Sequence, residues 1–181
     1  MTTETRLTLP VSGRDWCQGK DAGAATLLEY GDYECEDCAA AHLVVRDLLR
    51  ELGDHVRYVF RHFPLISKHR HAQHAAEVAE AAGARERFWP VHDLLFLRQD
   101  QLDDEHLVQY AVSMGCEEDG VRRDLESHVH AAKVREDFDS GVKSGVSRTP
   151  TFFIDDVRYD GPADAVSLGA ALREAIGAKR S

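Results

Sequence analysis

Cys35 and Cys38 stand three positions apart in the stretch Tyr33-Glu34-Cys35-Glu36-Asp37-Cys38, directly after an apolar run and directly before an amphipathic one. The run before them, residues 25–30 (Ala-Thr-Leu-Leu-Glu-Tyr), has strand character. Residues 39–52 are rich in Ala, Leu, Val and Arg, with apolar residues at helical spacing. The pair therefore falls at a strand-to-helix junction, Cys35 at or beside the N-cap and Cys38 one turn in. Both sulfurs then lie on one side of the helix start, within reach of a small-loop disulfide. Free N–H groups and partial positive charge at a helix N-terminus favour a thiolate over a thiol at Cys35, which is what a thiol-exchange nucleophile needs.

The rest of the chain fits around that junction. Residues 6–11 alternate through Leu7, Leu9 and Val11 and predict a first edge strand, ahead of a loop containing Gly13, Gly19 and Gly23. Residues 55–63, with Val56, Tyr58, Val59, Phe60 and Phe63, predict a second buried strand. A helix between two such strands is a crossover, so they should be parallel. From about residue 68 to residue 145 the pattern is helical. An alanine-rich helix over 72–82 should stop at Gly83 as its C′ residue, and an aromatic helix over 88–97 holds Pro90 in its first turn. Asp103 caps a helix carrying Leu107, Tyr110, Ala111 and Met114 that stops at Gly115. Val121, Leu125, Val129 and Ala132 mark the next helix, extended or followed by Val134, Phe138 and Val142. Strand character returns at 151–154, Asp155-Asp156 signals a two-residue turn, and 157–159 completes a hairpin before a last helix over 164–176. The order βαβ, helical block, ββα is an α/β domain interrupted by helices.

At 181 residues and 43% hydrophobic content the chain can bury one proper core. Its 32 acidic against 22 basic residues give a formal charge of −10, which argues against nucleic acid or an anionic membrane as partner. Residues 1–10 show no secretory leader and no window approaches a membrane span. The expectation is a cytoplasmic protein, in which a Cys-x-x-Cys pair is more often catalytic or metal-binding than structural.

Thr149-Pro150 stands directly before the second apolar hairpin. With strand, Cys-x-x-Cys, helix and strand already placed, the chain resembles the thioredoxin fold, and the large helical insertion resembles its DsbA-like thiol-disulfide oxidoreductase branch. The phrases Leu-Glu-Tyr-Gly-Asp-Tyr-Glu-Cys (28–35), Arg-His-Phe-Pro-Leu (61–65), Phe-Trp-Pro-Val-His-Asp-Leu-Leu-Phe (88–96) and Thr-Pro-Thr-Phe-Phe-Ile (149–154) carry the resemblance. It implies a mixed central sheet with βαβ and ββα halves, a thioredoxin-fold core over residues 25–67 and 146–181, a helical insertion over 68–145, and an N-terminal strand and loop over 1–24. It also implies Cys35 as nucleophile, Cys38 as resolving thiol, Pro150 as a cis proline facing them, and Glu29 as the buried acid that moves the Cys38 proton. A cis peptide at Thr149-Pro150 can leave the Thr149 backbone free to pair with an extended substrate. Protein or peptide thiols and disulfides, and a redox partner, are the implied reactants; no cofactor and no metal is called for.

Three positions depart from the pattern. DsbA has Pro-His between its cysteines, where this chain has Glu36-Asp37, two acids that oppose a thiolate by about 1 kcal/mol or less each when solvated. A less stabilised thiolate makes a less oxidising disulfide, so the pair should be more reducing than that of DsbA. Arg148 stands where the family usually has glycine, and is expected to approach Glu36 or Asp37 and partly restore the thiolate.

Other readings of these residues are duller. Half of a zinc site would need a second ligand pair, and Cys17 and Cys116 are isolated thiols. Among His62, His69, His71 and His74 only the last two share a helical face and no carboxylate completes a set, so solvated helix-start histidines are expected. His92 reads as a hydrogen-bonded packing residue and Arg61 as a possible partner for Glu29. A kappa-type glutathione-dependent transferase shares the insertion but normally has serine at the Cys35 position, and a non-catalytic peptide-binding module would need neither thiol.

Overall fold

The computed structural model describes residues 4–20 and 25–179; Gly23 of the expected N-terminal loop lies outside them. Five strands, β1 (Trp16–Gln18), β2 (Ala25–Gly31), β3 (Val56–His62), β4 (Thr151–Ile154) and β5 (Val157–Tyr159), form one sheet in the order β1-β3-β2-β4-β5. β2 (Ala25–Gly31) and β3 (Val56–His62) are its near-continuously buried strands and are neighbours joined through α1 (Glu36–Leu52), as a crossover requires. β4 (Thr151–Ile154) pairs antiparallel with β2, in a register that sets Glu29 opposite Phe152, and with β5 (Val157–Tyr159). The turn between β4 and β5 holds Asp155 and Asp156 at φ of 46° and 68°. Left-handed backbone at both central residues is the type I′ geometry that suits the twist of two paired strands. Asp155 also accepts the Thr26 backbone N–H at 2.9 Å, tying the hairpin to the start of β2.

The first strand differs from expectation. It is β1 (Trp16–Gln18), antiparallel to β3, whereas residues 6–11 contribute only a single bridge between Arg6 and Val157. The Leu9 and Pro10 carbonyls are instead taken by the Arg61 guanidinium at 2.9 and 3.1 Å, and Pro10 has no N–H to offer a ladder. α7 (Ala165–Lys179) covers β2 and β4 through Leu168, Leu172 and Ile176. Full burial of each leucine is worth about 1.5–3 kcal/mol. Gly169 lets α7 approach α1, since a Cβ there would lie 2.9 Å from Leu48.

The chain divides into two compact units, one of the described residues of Met1–Gly31, Ala40–Arg61 and Ser140–Ser181, the other of Asp32–Ala39 and His62–Asp139. The first holds the sheet. In the second, α2 (Ala72–Gly83) is buried almost all round and packs against α3 (Phe88–Leu97), α4 (Asp104–Ser113) and α5 (Glu118–Glu126). Its alanines at 72, 75, 76, 79 and 82 are what let three helices crowd one. Gly83 does not end α2 in a left-handed turn; Ala84 remains right-handed and Glu86 takes the positive φ of 60°. The apolar stripe from Val121 to Ala132 does not make one helix either. Ser127 Oγ bonds the Arg123 carbonyl at 2.6 Å and His128 turns left-handed at φ 51°, so α5 closes and α6 (Ala131–Lys143) starts afresh, leaving Val129 exposed.

Candidate active site at the Cys35–Cys38 pair

α1 begins at Glu36, so Cys35 is the residue that leads into it. Its carbonyl accepts the Cys38 and Ala39 N–H groups, both at 3.1 Å, and Cys38 sits one turn in. Both thiols are buried, Cys38 fully and Cys35 with 8% of its surface exposed, while Glu36 and Asp37 point to solvent. The edge of the pair that reaches solvent is therefore the Cys35 side.

The loop that delivers Cys35 is fastened by residues to which the sequence assigned no role at the site. Asp32 is its hub: one carboxylate oxygen accepts the Glu34 N–H at 2.8 Å, the other the Leu65 N–H and His69 Nδ1, each at 2.8 Å, and its carbonyl accepts the Cys35 N–H at 3.1 Å. Glu34 accepts the His71 N–H at 2.7 Å. Gln99, just beyond α3, donates to the carbonyls of Tyr33 and Cys35 at 2.7 and 2.8 Å. Tyr33 is buried against Phe96 and its hydroxyl meets His92 Nδ1 at 2.9 Å, the hydrogen-bonded packing role expected for His92. An Asp three residues before Cys35, bonding two residues on as an Asx turn does, was the local signal for the hub. The return contacts from Leu65, His69 and Gln99 have no local signal.

Burial pulls the His69 pKa down, but the hydrogen bond and charge of Asp32, with the charges of Cys35 and Glu34, outweigh it and raise the pKa above the usual imidazole value. The histidines are thus not simply solvated. His62 is fully buried and bonds Glu80 at 2.7 Å, and His74 bonds Asp104 at 2.6 Å. A carboxylate set does surround His62, because Asp137 accepts its backbone N–H at 3.2 Å, and the three side chains lie close enough to ligate a cation. Lys133 already sits on Asp137 at 2.5 Å, however, and an ammonium there competes with any metal.

Within the sheet-bearing unit, Glu29 is fully buried on β2 and accepts the Tyr58 hydroxyl at 2.7 Å. Arg61 is not its partner. Its guanidinium forks onto Asp15 at 2.7 and 3.0 Å and reaches the Tyr30 hydroxyl at 3.1 Å. Gly31 ends β2 without a side chain because a Cβ would lie 2.4 Å from the Phe60 ring. The Thr149-Pro150 peptide is cis and leads straight into β4; Arg148 is exposed, and its carbonyl accepts the Thr151 hydroxyl at 2.7 Å. Cys17, beside Arg57, and buried Cys116 are free thiols.

A strand that leads to a dithiol, with the helix that dithiol opens, is the half from which thioredoxin-type folds are built. The chain belongs to the thioredoxin family: the family profile described as Thioredoxin matches residues 12–174. The protein named Na(+)/H(+) antiporter NhaA 3 in Salinispora tropica is 40% identical over 175 residues, 96% of this chain but 27% of that one. The chain thus spans about a quarter of that relative's length. Oxidised BdbD from Bacillus subtilis superposes with a TM-score of 0.83 at 22% identity, covering 96% of this chain and 97% of that one. Wolbachia pipientis alpha-DsbA1 does so with a TM-score of 0.80 at 20% identity, covering 96% of each. No helix among the described residues is long and apolar enough to cross a membrane.

Proposed function

We propose that the chain is a thiol-disulfide oxidoreductase working through a mixed disulfide at Cys35. The observation that carries this is the placing of Cys35 immediately before α1, its carbonyl held by Gln99 and Cys38 buried one turn on. In the oxidised form a substrate thiolate attacks Cys35 Sγ, the Cys35–Cys38 bond breaks, and Cys38 leaves as a thiolate that takes a proton. The second substrate thiolate then attacks its partner sulfur in the mixed disulfide and expels Cys35 as a thiolate, so two electrons pass to the protein and the substrate leaves as a disulfide. The reverse sequence reduces a substrate disulfide.

Glu29 is assigned the Cys38 proton: a carboxyl sealed on β2 has the burial that suits an acid-base group at neutral pH. Thr149 and Pro150, at the entry to β4, are assigned to an extended substrate segment that pairs with the chain, with Arg148 beside it. Because Glu36 and Asp37 supply no cation, the pair is more reducing than that of DsbA, and equilibration with glutathione checks this by placing it below DsbA in oxidising power. Insulin reduction tests the activity itself. Wild type turns over, Cys35→Ser does not, and a wild type without thiol-dependent turnover sinks the proposal.

A further inference from the structure

We propose that His69 is the cation that holds Cys35 as a thiolate, a positioning residue set in place by Asp32 and supplied from outside the Cys-x-x-Cys dipeptide. The inference rests on the oxidoreductase reading of Cys35. Between the two cysteines lie only Glu36 and Asp37, so nothing within the motif offers a positive charge. Asp32, three residues before Cys35 and fully buried at its side chain, fixes the imidazole through Nδ1 at 2.8 Å. The same carboxylate oxygen is anchored by the Leu65 N–H, and the carbonyls of Leu65 and Asp32 hold the His69 and Cys35 backbone N–H groups at 2.9 and 3.1 Å. One residue thereby fixes both the cysteine and the imidazole. With 24% of its side chain exposed and no hydrogen bond at Nε2 among the described residues, His69 can exchange its proton with water.

The groups that act on His69 are Asp32, Glu34 and Cys35, all from the loop ahead of α1. Its own segment adds Lys68 and Arg70, both exposed, and His71, which meets Glu34 through its backbone N–H. Coupling between two titrating sites is mutual: the Cys35 charge that favours a proton on His69 is favoured in return by that proton. Removing the imidazole also leaves the Asp32 carboxylate uncompensated three residues from the nucleophile. Both effects push Cys35 toward the neutral thiol.

The test is the pH profile of iodoacetamide alkylation at Cys35 in the full chain carrying Cys38→Ser, with His69, His69→Gln or His69→Lys. His69→Gln is expected to raise the midpoint by about 0.5–1 pH unit, and His69→Lys, which keeps a charge there, to bring most of it back. With Cys38 present, His69→Gln is expected to shift the glutathione equilibrium about 3–10-fold toward the disulfide. A midpoint that stays put in His69→Gln, or that His69→Lys raises as far, overturns the role of His69. Alkylation is read whether or not insulin is turned over, so failure of His69 and failure of the oxidoreductase reading are separate results.

Discussion

Two histidines, one on α1 and one in the turn before α2, are driven in opposite directions. His42 is buried on α1, and its pKa falls to about 4, first through desolvation and then through the nearby positive charge of Arg46. His69 is also pulled down by burial, yet ends raised because Asp32 accepts from it and three negative groups surround it. A carboxylate that accepts from the imidazole therefore outweighs burial at His69. One imidazole is pushed toward its neutral form; the other is favoured as a cation beside the loop that carries Cys35.

The largest way to break this contrast is acid. The folded-state pKa of His42 lies below its unfolded value of 6.5, so its contribution is complete above that value and is lost as pH falls from 6.5 toward 4. The loss should approach about 3 kcal/mol, read as a drop in urea-unfolding free energy over that window that His42→Leu reduces. Next comes Asp32→Asn, which replaces a carboxylate accepting three hydrogen bonds; about 1–3 kcal/mol of stability should go, and the His69 titration followed by NMR should move down. Gln99→Ala should cost about 1 kcal/mol by leaving two carbonyls without its amide, yet leave the His69 titration where it is, separating loop fastening from charge. Smallest is the linkage of His69 itself. Its pKa is raised on folding, so its contribution is complete below 6.5 and fades as pH rises through the folded value. Its sign is opposite to that of His42, and His69→Gln should flatten the unfolding free energy between neutral and mildly alkaline pH.

The elements that local pattern controls were legible in the sequence. β2, β3, the β4–β5 hairpin with its Asp155-Asp156 turn, and the capped start of α4 at Asp103 all announce themselves within a few residues. What escaped was decided by chain returning from afar. Leu7, Leu9 and Val11 alternate as a strand does, but Arg61 claims two of that segment's carbonyls. Arg61 paired with Asp15, not Glu29, because β1 brings the Asp15 end of the chain alongside β3. At the site, the cysteines were found by spacing, while the contacts of Asp32 with Leu65 and His69 and of Gln99 with Tyr33 were not, since those partners lie some 33–66 residues away in sequence. Glu77, Glu80 and Asp137 carry no local sign of a histidine partner, because the histidines they meet lie 51, 18 and 75 residues away in sequence.

Gln99 shows what this means for anyone who would move the chemistry elsewhere. A single amide hooks the carbonyls of Tyr33 and Cys35, and it arrives from the far end of α3. Copying Glu-Asp between two cysteines onto another scaffold would transplant the letters of the motif without its scaffolding. A faithful graft has to carry the segment from Asp32 to Ala39 together with the turn at Leu65–His69 and the amide at position 99. Equally, trimming the helices to obtain a minimal thioredoxin would keep a sheet and two thiols and discard the fixture that holds one of them ready.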